Sequence, residues 1–249
     1  MNQPVSIIGS YLSPYVRKVL VVLDLKGIPF EIDPIIPFMG DERFSQLSPV
    51  RRVPVLMDDS VTLADSSVIC QYLEDRYPSP ALYPSNIAER ARARWLEEYA
   101  DTRVGDVFIW KLFNAVAINP YVWGTKPDPR SLAKIRDEEM PSVMGYLESQ
   151  APERGFLFEA LSIADIAIAS FFRNAEFSGY DLDAVRWPRT AAFVQRVLGL
   201  GSFQKLMPFE DKLMRTPIAR HREALGAMGA PLMAETYGTP KPRPGILPI

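Results

Sequence analysis

Three short stretches of this sequence place polar groups where a chain can bind or activate a small molecule. In "YLSPYVRKVL", residues 11–20, Ser13 stands directly before Pro14 and a run of apolar residues. A serine there can cap a helix through its oxygen, or lend its proton to an anion such as a thiolate. In "RRVPVL", Val53 precedes Pro54 at a strand entry, a candidate cis bond. That geometry would leave the Val53 N–H and C=O free to pair with an extended ligand. In "LADSSVICQYL", Asp65 and Ser66 stand where a helix begins, and either can cap it. Unpaired N–H groups at a helix start attract a carboxylate, and a carboxylate side chain attracts an ammonium. Side by side, they suit the α-amino acid end of a ligand.

Other chemistries are poorly supplied. Cys70 is the only cysteine and His221 the only histidine of the 249 residues. A metal site built from His and Cys clusters is not expected, and a Ser/His or Cys/His pair would have to use His221. That histidine lies in the polar stretch "PIARHREAL", and Cys70 reads as a small buried apolar residue. A single cysteine excludes an intrachain disulfide and fits a reducing, cytoplasmic setting. The net charge is −2, without a basic block, so neither nucleic acid nor a membrane surface is an expected partner. The most apolar runs, "VLVVLDL" and "IADIAIASFF", fall short of the ~20 residues that span a bilayer. The opening "MNQPVSIIGS" has no charged leader followed by an apolar core.

The elements that must position these groups follow from periodicity. "VSIIG" reads as a buried strand. Val16, Val19, Leu20 and Leu23 have helical spacing, with Ser13 and Pro14 before them and Gly27 after. "FEIDPII" is a second strand, limited to an edge or an early end by Pro34. "DERFSQLSP" is a short helix or a loop. "VPVLM" and "VTLA" flank "DDS" as a hairpin, and a helix follows from about Ser66 to Pro78. Residues 1–80 thus form one mixed sheet covered by helices. "PSPALYPSN" reads as a linker, and 88–225 as an all-helical domain. Its first helix is long, with a break near Gly105; another is interrupted or restarted at Pro141. "SIADIAIASFFRNAEF" is apolar on almost every side and belongs at the domain centre. Residues 226–249, rich in Pro and Gly, form an extended tail.

Taken together, these residues resemble the glutathione S-transferase family. "SPYVRKVLVVLDLKGIPFE" resembles the first helix of its serine- and cysteine-type classes, including the plant tau and omega-like branches. "RRVPVL" is similar to the family's cis-proline segment, and "LADSSVICQYLEDRYP" to its acidic-Ser glutathione motif. "SIADIAIA" resembles a buried helix whose Ser162 and Asp165 form a capping box. The similarity covers residues 1 to about 205. It implies an α/β plus all-α chain: a thioredoxin-like N-terminal domain followed by the family's helical C-terminal domain. "FEALSIAD" lacks the family's usual glycine, "LGSF" stands for its usual "RPSF", and the tail is longer than typical.

The resemblance implies glutathione as co-substrate, a small hydrophobic electrophile, no metal and a homodimer. Ser13 takes the position facing the glutathione sulfur, with Ser10 and Tyr11 as rivals. Val53 would pair its backbone with the cysteinyl part, while Asp65 and Ser66 hold the γ-glutamyl end. Arg52 takes the place of a basic residue for the glycyl carboxylate; Arg51 is the alternative. Tyr11, Tyr15, Phe108 and Trp110 are candidates for an apolar substrate pocket. A cysteine-type thiol has a pKa near ~8.5. A hydroxyl donating to an anion contributes ~1.5–3 kcal/mol, and one pKa unit is worth ~1.4 kcal/mol. Ser13 would therefore lower the thiol pKa by roughly one to two units. Serine cannot form a mixed disulfide, so thiol reduction ranks lower. The alternatives are glutathione-dependent peroxidase, isomerase or lyase activity, or a non-catalytic binding protein on the same fold.

Overall fold

The structure, a computed structural model, describes residues 4–244. These residues pack as two units. One holds the residues up to Pro80 together with those from Gln204 on; the other is Ala81–Phe203. The boundary differs from a division at 225, because the last helices group with the sheet.

In the first unit, β1 (Val5–Ile8) runs parallel to β2 (Phe30–Asp33), and α1 (Pro14–Leu25) links them. A short helix, α2 (Glu42–Leu47), is capped by Asp41, which accepts the Phe44 N–H at 3.0 Å. β3 (Val55–Met57) is antiparallel to β1, and β4 (Thr62–Ala64) is antiparallel to β3. The strand order is β2-β1-β3-β4. Asp58 closes the expected hairpin by accepting the N–H groups of Ser60 and Val61. α3 (Ser66–Arg76) follows and packs on α1. α1 is buried at every position from Val16 to Leu23, Arg17 and Lys18 included, which goes beyond the one apolar face its spacing sets out.

The helical unit opens with α4 (Ile87–Tyr99), and the chain stays helical to Trp123. No break occurs at Gly105, whose φ and ψ of −57° and −44° are helical. The turns widen instead on both sides of it, over Ala100–Val104 and Asp106–Trp123. After α5 (Pro129–Lys134), similarly wide turns over Ile135–Glu139 lead into α6 (Met140–Gln150), which continues through Pro141. A widened turn is one way to absorb a proline that cannot donate. α7 (Ile163–Phe177) is buried from Ile163 to Ala175. The Asp165 carboxylate reaches back to the Ser162 N–H at 2.8 Å and its hydroxyl at 2.6 Å, and also accepts the Leu157 N–H. α8 (Pro188–Leu198) and α9 (Gly201–Gln204) follow.

The chain then returns to the first unit as α10 (Met207–Met214) and α11 (His221–Ala227). Beyond them it is extended but fastened. Leu232 bridges Ile32 in parallel, and Gly238 bridges Gly40. β2 is the edge strand and ends just before Pro34, and its outer side is partly covered by the chain at Leu232.

Candidate functional site

One row of the sheet gathers the residues singled out in the sequence. Ile8 pairs with Asp33 on one side and Val55 on the other, and Val55 pairs with Ala64. The loop before α1, the Val53–Pro54 segment and the start of α3 all leave the sheet at this row. Ser13, Val53, Asp65 and Ser66 belong to those three segments.

Ser13 is the half-buried N-cap of α1, with φ −80° and ψ 125°. Its Oγ accepts the Val16 N–H at 3.4 Å, and its own N–H donates to the Ser10 carbonyl. Capping uses an oxygen lone pair and leaves the hydroxyl proton available. No acidic side chain lies in the first turn to oppose the positive end of the helix dipole. An anion at Ser13 therefore meets a donor and a favourable field together.

Close packing brings Val53 to that turn. Gly9 has φ +149°, a region that L side chains rarely adopt. A Cβ on Gly9 would lie 2.5 Å from Val16 Cγ2 and 3.1 Å from Val53 Cβ. The absent side chain lets the end of β1 lie against both. The Val53–Pro54 bond is cis. The Val53 N–H and C=O pair with nothing among the described residues.

The two arginines before Val53 have different environments. Arg51 is buried with φ +51°. Its guanidinium donates to the Gly40 carbonyl at 2.9 Å, the Pro37 and Asp41 carbonyls and the Ser45 hydroxyl. Arg52 is exposed, and its side chain has no partner among the described residues. Arg51 is committed to holding its own loop, and Arg52 is available.

Asp65 caps α3. Its Oδ1 accepts the N–H groups of Ser67 and Val68 at 2.9 and 3.0 Å. The residue is exposed, which leaves its second oxygen open to a ligand. Ser66 is the first helical residue, so its N–H is one of the donors a helix start leaves unpaired. Its hydroxyl also has no partner among the described residues.

Two cations of α1 were not expected in the site. The Lys18 ammonium is buried and donates to Ser67 Oγ at 3.0 Å, tying α1 to the start of α3. Arg17 is buried with Glu210 of α10, Nε to Oε1 2.5 Å, and also donates to the Tyr11 carbonyl at 3.4 Å. The adjacent pair "RK" inside an otherwise apolar helix was the available signal.

The aromatic candidates separate. Tyr11 is buried with its ring on Phe209, centroids 5.1 Å apart. Its hydroxyl has no partner among the described residues, and burial pushes its pKa well above the usual phenol range. It is a neutral hydroxyl, not a phenolate. Tyr15 is half-buried on α1. In the helical unit, Phe108 is a core residue, edge-on to Phe172 at 5.4 Å, and Trp110 is half-buried. Among the described residues, no group of three or more His, Cys, Asp or Glu could hold a metal ion. No helix there is long and apolar enough to cross a membrane.

A thioredoxin-like sheet unit joined to an all-helical unit is the glutathione S-transferase fold. Residues 7–81 match the family described as glutathione S-transferase, N-terminal domain. The chain is 26% identical over 238 residues to glutathione S-transferase U8 of Arabidopsis thaliana, covering 86% of this chain and 94% of that one. It is 38% identical over 96 residues to the uncharacterized GST-like protein YibF of Escherichia coli strain K12, covering 38% of this chain and 48% of that one. A solved glutathione S-transferase from Rhodospirillum rubrum F11 superposes with a TM-score of 0.74 at 26% identity, over 81% of this chain and 91% of that one. Together these likenesses support the glutathione S-transferase family.

Proposed function

We propose that this protein is a serine-type glutathione transferase that joins the glutathione thiolate to small hydrophobic electrophiles. The observation that carries this reading is Ser13: a hydroxyl with an uncommitted proton at the N-terminus of α1. The γ-glutamyl carboxylate of glutathione takes the Ser66 N–H and hydroxyl, and its ammonium takes Asp65. The cysteinyl residue pairs with the Val53 backbone. The glycyl carboxylate meets Arg52.

This seating puts the sulfur at Ser13. The thiol proton leaves to solvent, and the thiolate accepts the Ser13 hydroxyl hydrogen bond. The sulfur then attacks the electrophilic carbon, either adding to it or displacing a leaving group that departs with the bonding electrons. In this reading Tyr15, two residues after Ser13 and half-buried, meets the apolar part of the electrophile. The reading includes a cytoplasmic homodimer acting in detoxification.

The test is retention on immobilised glutathione, together with conjugation of a chlorodinitrobenzene by wild type and Ser13→Ala. Retention of both, with conjugation about ten- to hundredfold slower in the variant, supports the assignment. A wild type that neither binds glutathione nor conjugates overturns it.

A further inference from the structure

The segment after α11 does more than cover an edge. Five backbone hydrogen bonds fasten it to β2 and the loop that follows. Ile32 N–H donates to Pro231 and Met233 N–H to Ile32, at 2.7 and 3.1 Å. Asp41 N–H donates to Tyr237, Thr239 N–H to Met39 and Arg243 N–H to Phe38, each at 2.7 Å. At the crossing, a Cβ on Gly238 would lie 3.0 Å from Ile35 Cγ2 and 3.8 Å from the Met39 carbonyl oxygen, while Gly40 leaves room for the Phe44 ring.

A buried carboxylate latches this strap. Asp33 is fully buried and accepts the Tyr237 N–H at 2.7 Å, the Thr236 hydroxyl at 2.9 Å and Arg222 Nη1 at 3.1 Å. Arg222 also donates to the carbonyls of Met233 and Ala234. Arg43 of α2 donates to the Thr236 carbonyl and lies over the Tyr237 ring at 4.9 Å.

Asp33 stands in the row that leads to the site, and the strapped loop is the one that Arg51 grips. Arg51 holds the carbonyls of Pro37, Gly40 and Asp41. The strap holds Phe38, Met39 and Asp41 from the other side. Arg51, which grips this loop, directly precedes Arg52 and Val53 in the chain. A loop held from both sides fixes the backbone that presents Arg52 and Val53.

We propose that the strap Pro231–Arg243, latched by Asp33, is a positioning element for glutathione. It preorders the Arg52–Val53 seat and so lowers the cost of ordering that seat on binding. Arg222, Thr236 and Asp33 act through the loop and touch no substrate. The inference rests on the proposed glutathione site.

The experiment measures glutathione affinity by calorimetry, and KM and kcat with chlorodinitrobenzene. It compares wild type, Arg222→Leu, Thr236→Val and a chain ending at Ala230. Amide hydrogen exchange across residues 37–53 is followed in each. Thr236→Val keeps the side-chain shape and removes the hydroxyl that donates to Asp33 and accepts the Gly238 N–H, so it reports even where the shortened chain fails to fold. The expected result is a Kd and glutathione KM raised about threefold in Thr236→Val and more than tenfold in the shortened chain. kcat should stay within twofold, with faster exchange across 37–53. A synthetic peptide of residues 231–243, added to the shortened chain, should recover part of the affinity. Unchanged Kd in Thr236→Val and Arg222→Leu, beside a wild type that binds, overturns the strap's role alone. A wild type that does not bind glutathione overturns the proposed site and this inference with it.

Discussion

Ser13 Oγ lies 3.4 Å from the Val16 amide nitrogen, a long cap at the start of α1. The cap occupies one lone pair and leaves the proton to donate elsewhere. Capping and thiolate stabilisation are therefore compatible on one atom. Ser13→Ala removes both. A hydrogen bond to an anion is worth about 1.5–3 kcal/mol, so kcat/KM for conjugation should fall about ten- to hundredfold. The lost cap should cost about 1 kcal/mol of stability, read by urea denaturation. Ser13→Thr should keep most of both.

Arg51 and Arg52 should respond differently. Arg51→Ala removes a buried guanidinium from several acceptors and should destabilise by about 1.5–3 kcal/mol in urea. Arg52→Ala should leave stability unchanged and raise the glutathione KM about three- to tenfold, since its carboxylate contact would be solvent-exposed. The reverse pattern would exchange their roles.

Arg17 and Glu210 form a buried ion pair within the first unit, with neither side chain more than 1% exposed. Removing one partner leaves a buried charge uncompensated. Glu210→Ala should cost about 3–5 kcal/mol by chemical denaturation, and the double variant Arg17→Met/Glu210→Leu less. A small effect of Glu210→Ala would mean that the other contacts of Arg17, the Tyr11 carbonyl among them, suffice to hold its charge.

His221 supplies a pH dependence. It is buried, its Nε2 donates to the Thr216 carbonyl, and burial holds its pKa below the ordinary 6.5. The unfolded chain therefore takes up this proton more readily than the folded one. Above 6.5 the histidine is neutral in both states and its contribution is fully present. As pH falls from 6.5 toward the lower folded value, stability is lost, by at most about 1.4 kcal/mol per pH unit. Urea denaturation at pH 7.5 and 5.5 should show a larger loss for wild type than for His221→Gln. Equal losses would mean that His221 does not titrate with folding.

Local pattern carried much of the architecture. The Ser13–Pro14 start of α1, the hairpin around Asp58–Ser60 and the buried α7 were readable because cap chemistry, turn residues and apolar period act over a few neighbours. Gly105 misled for the same reason: wide turns kept the helix going where local propensity signalled a break, whereas Pro141 stands in the first turn of α6, where a helix restarts. The strap was read as a tail, since a Pro- and Gly-rich segment has the same composition docked or free. Its pairing of Leu232 with Ile32 joins residues 200 positions apart, and only the fold brings them together. Arg51 and Arg52 were indistinguishable by type; the positive φ of Arg51 and the carbonyls around it separate them. Phe108 has the same apolar spacing in a core as in a pocket, and its packing on Phe172 places it in the core.

The most direct measurement is the pKa of enzyme-bound glutathione, titrated by the ultraviolet absorbance of its thiolate in wild type and Ser13→Ala. In wild type the bound thiol should titrate roughly one to two units below free thiol, and in Ser13→Ala most of that shift should vanish while glutathione still binds. The same depressed pKa in both proteins would contradict the role given to the Ser13 hydroxyl.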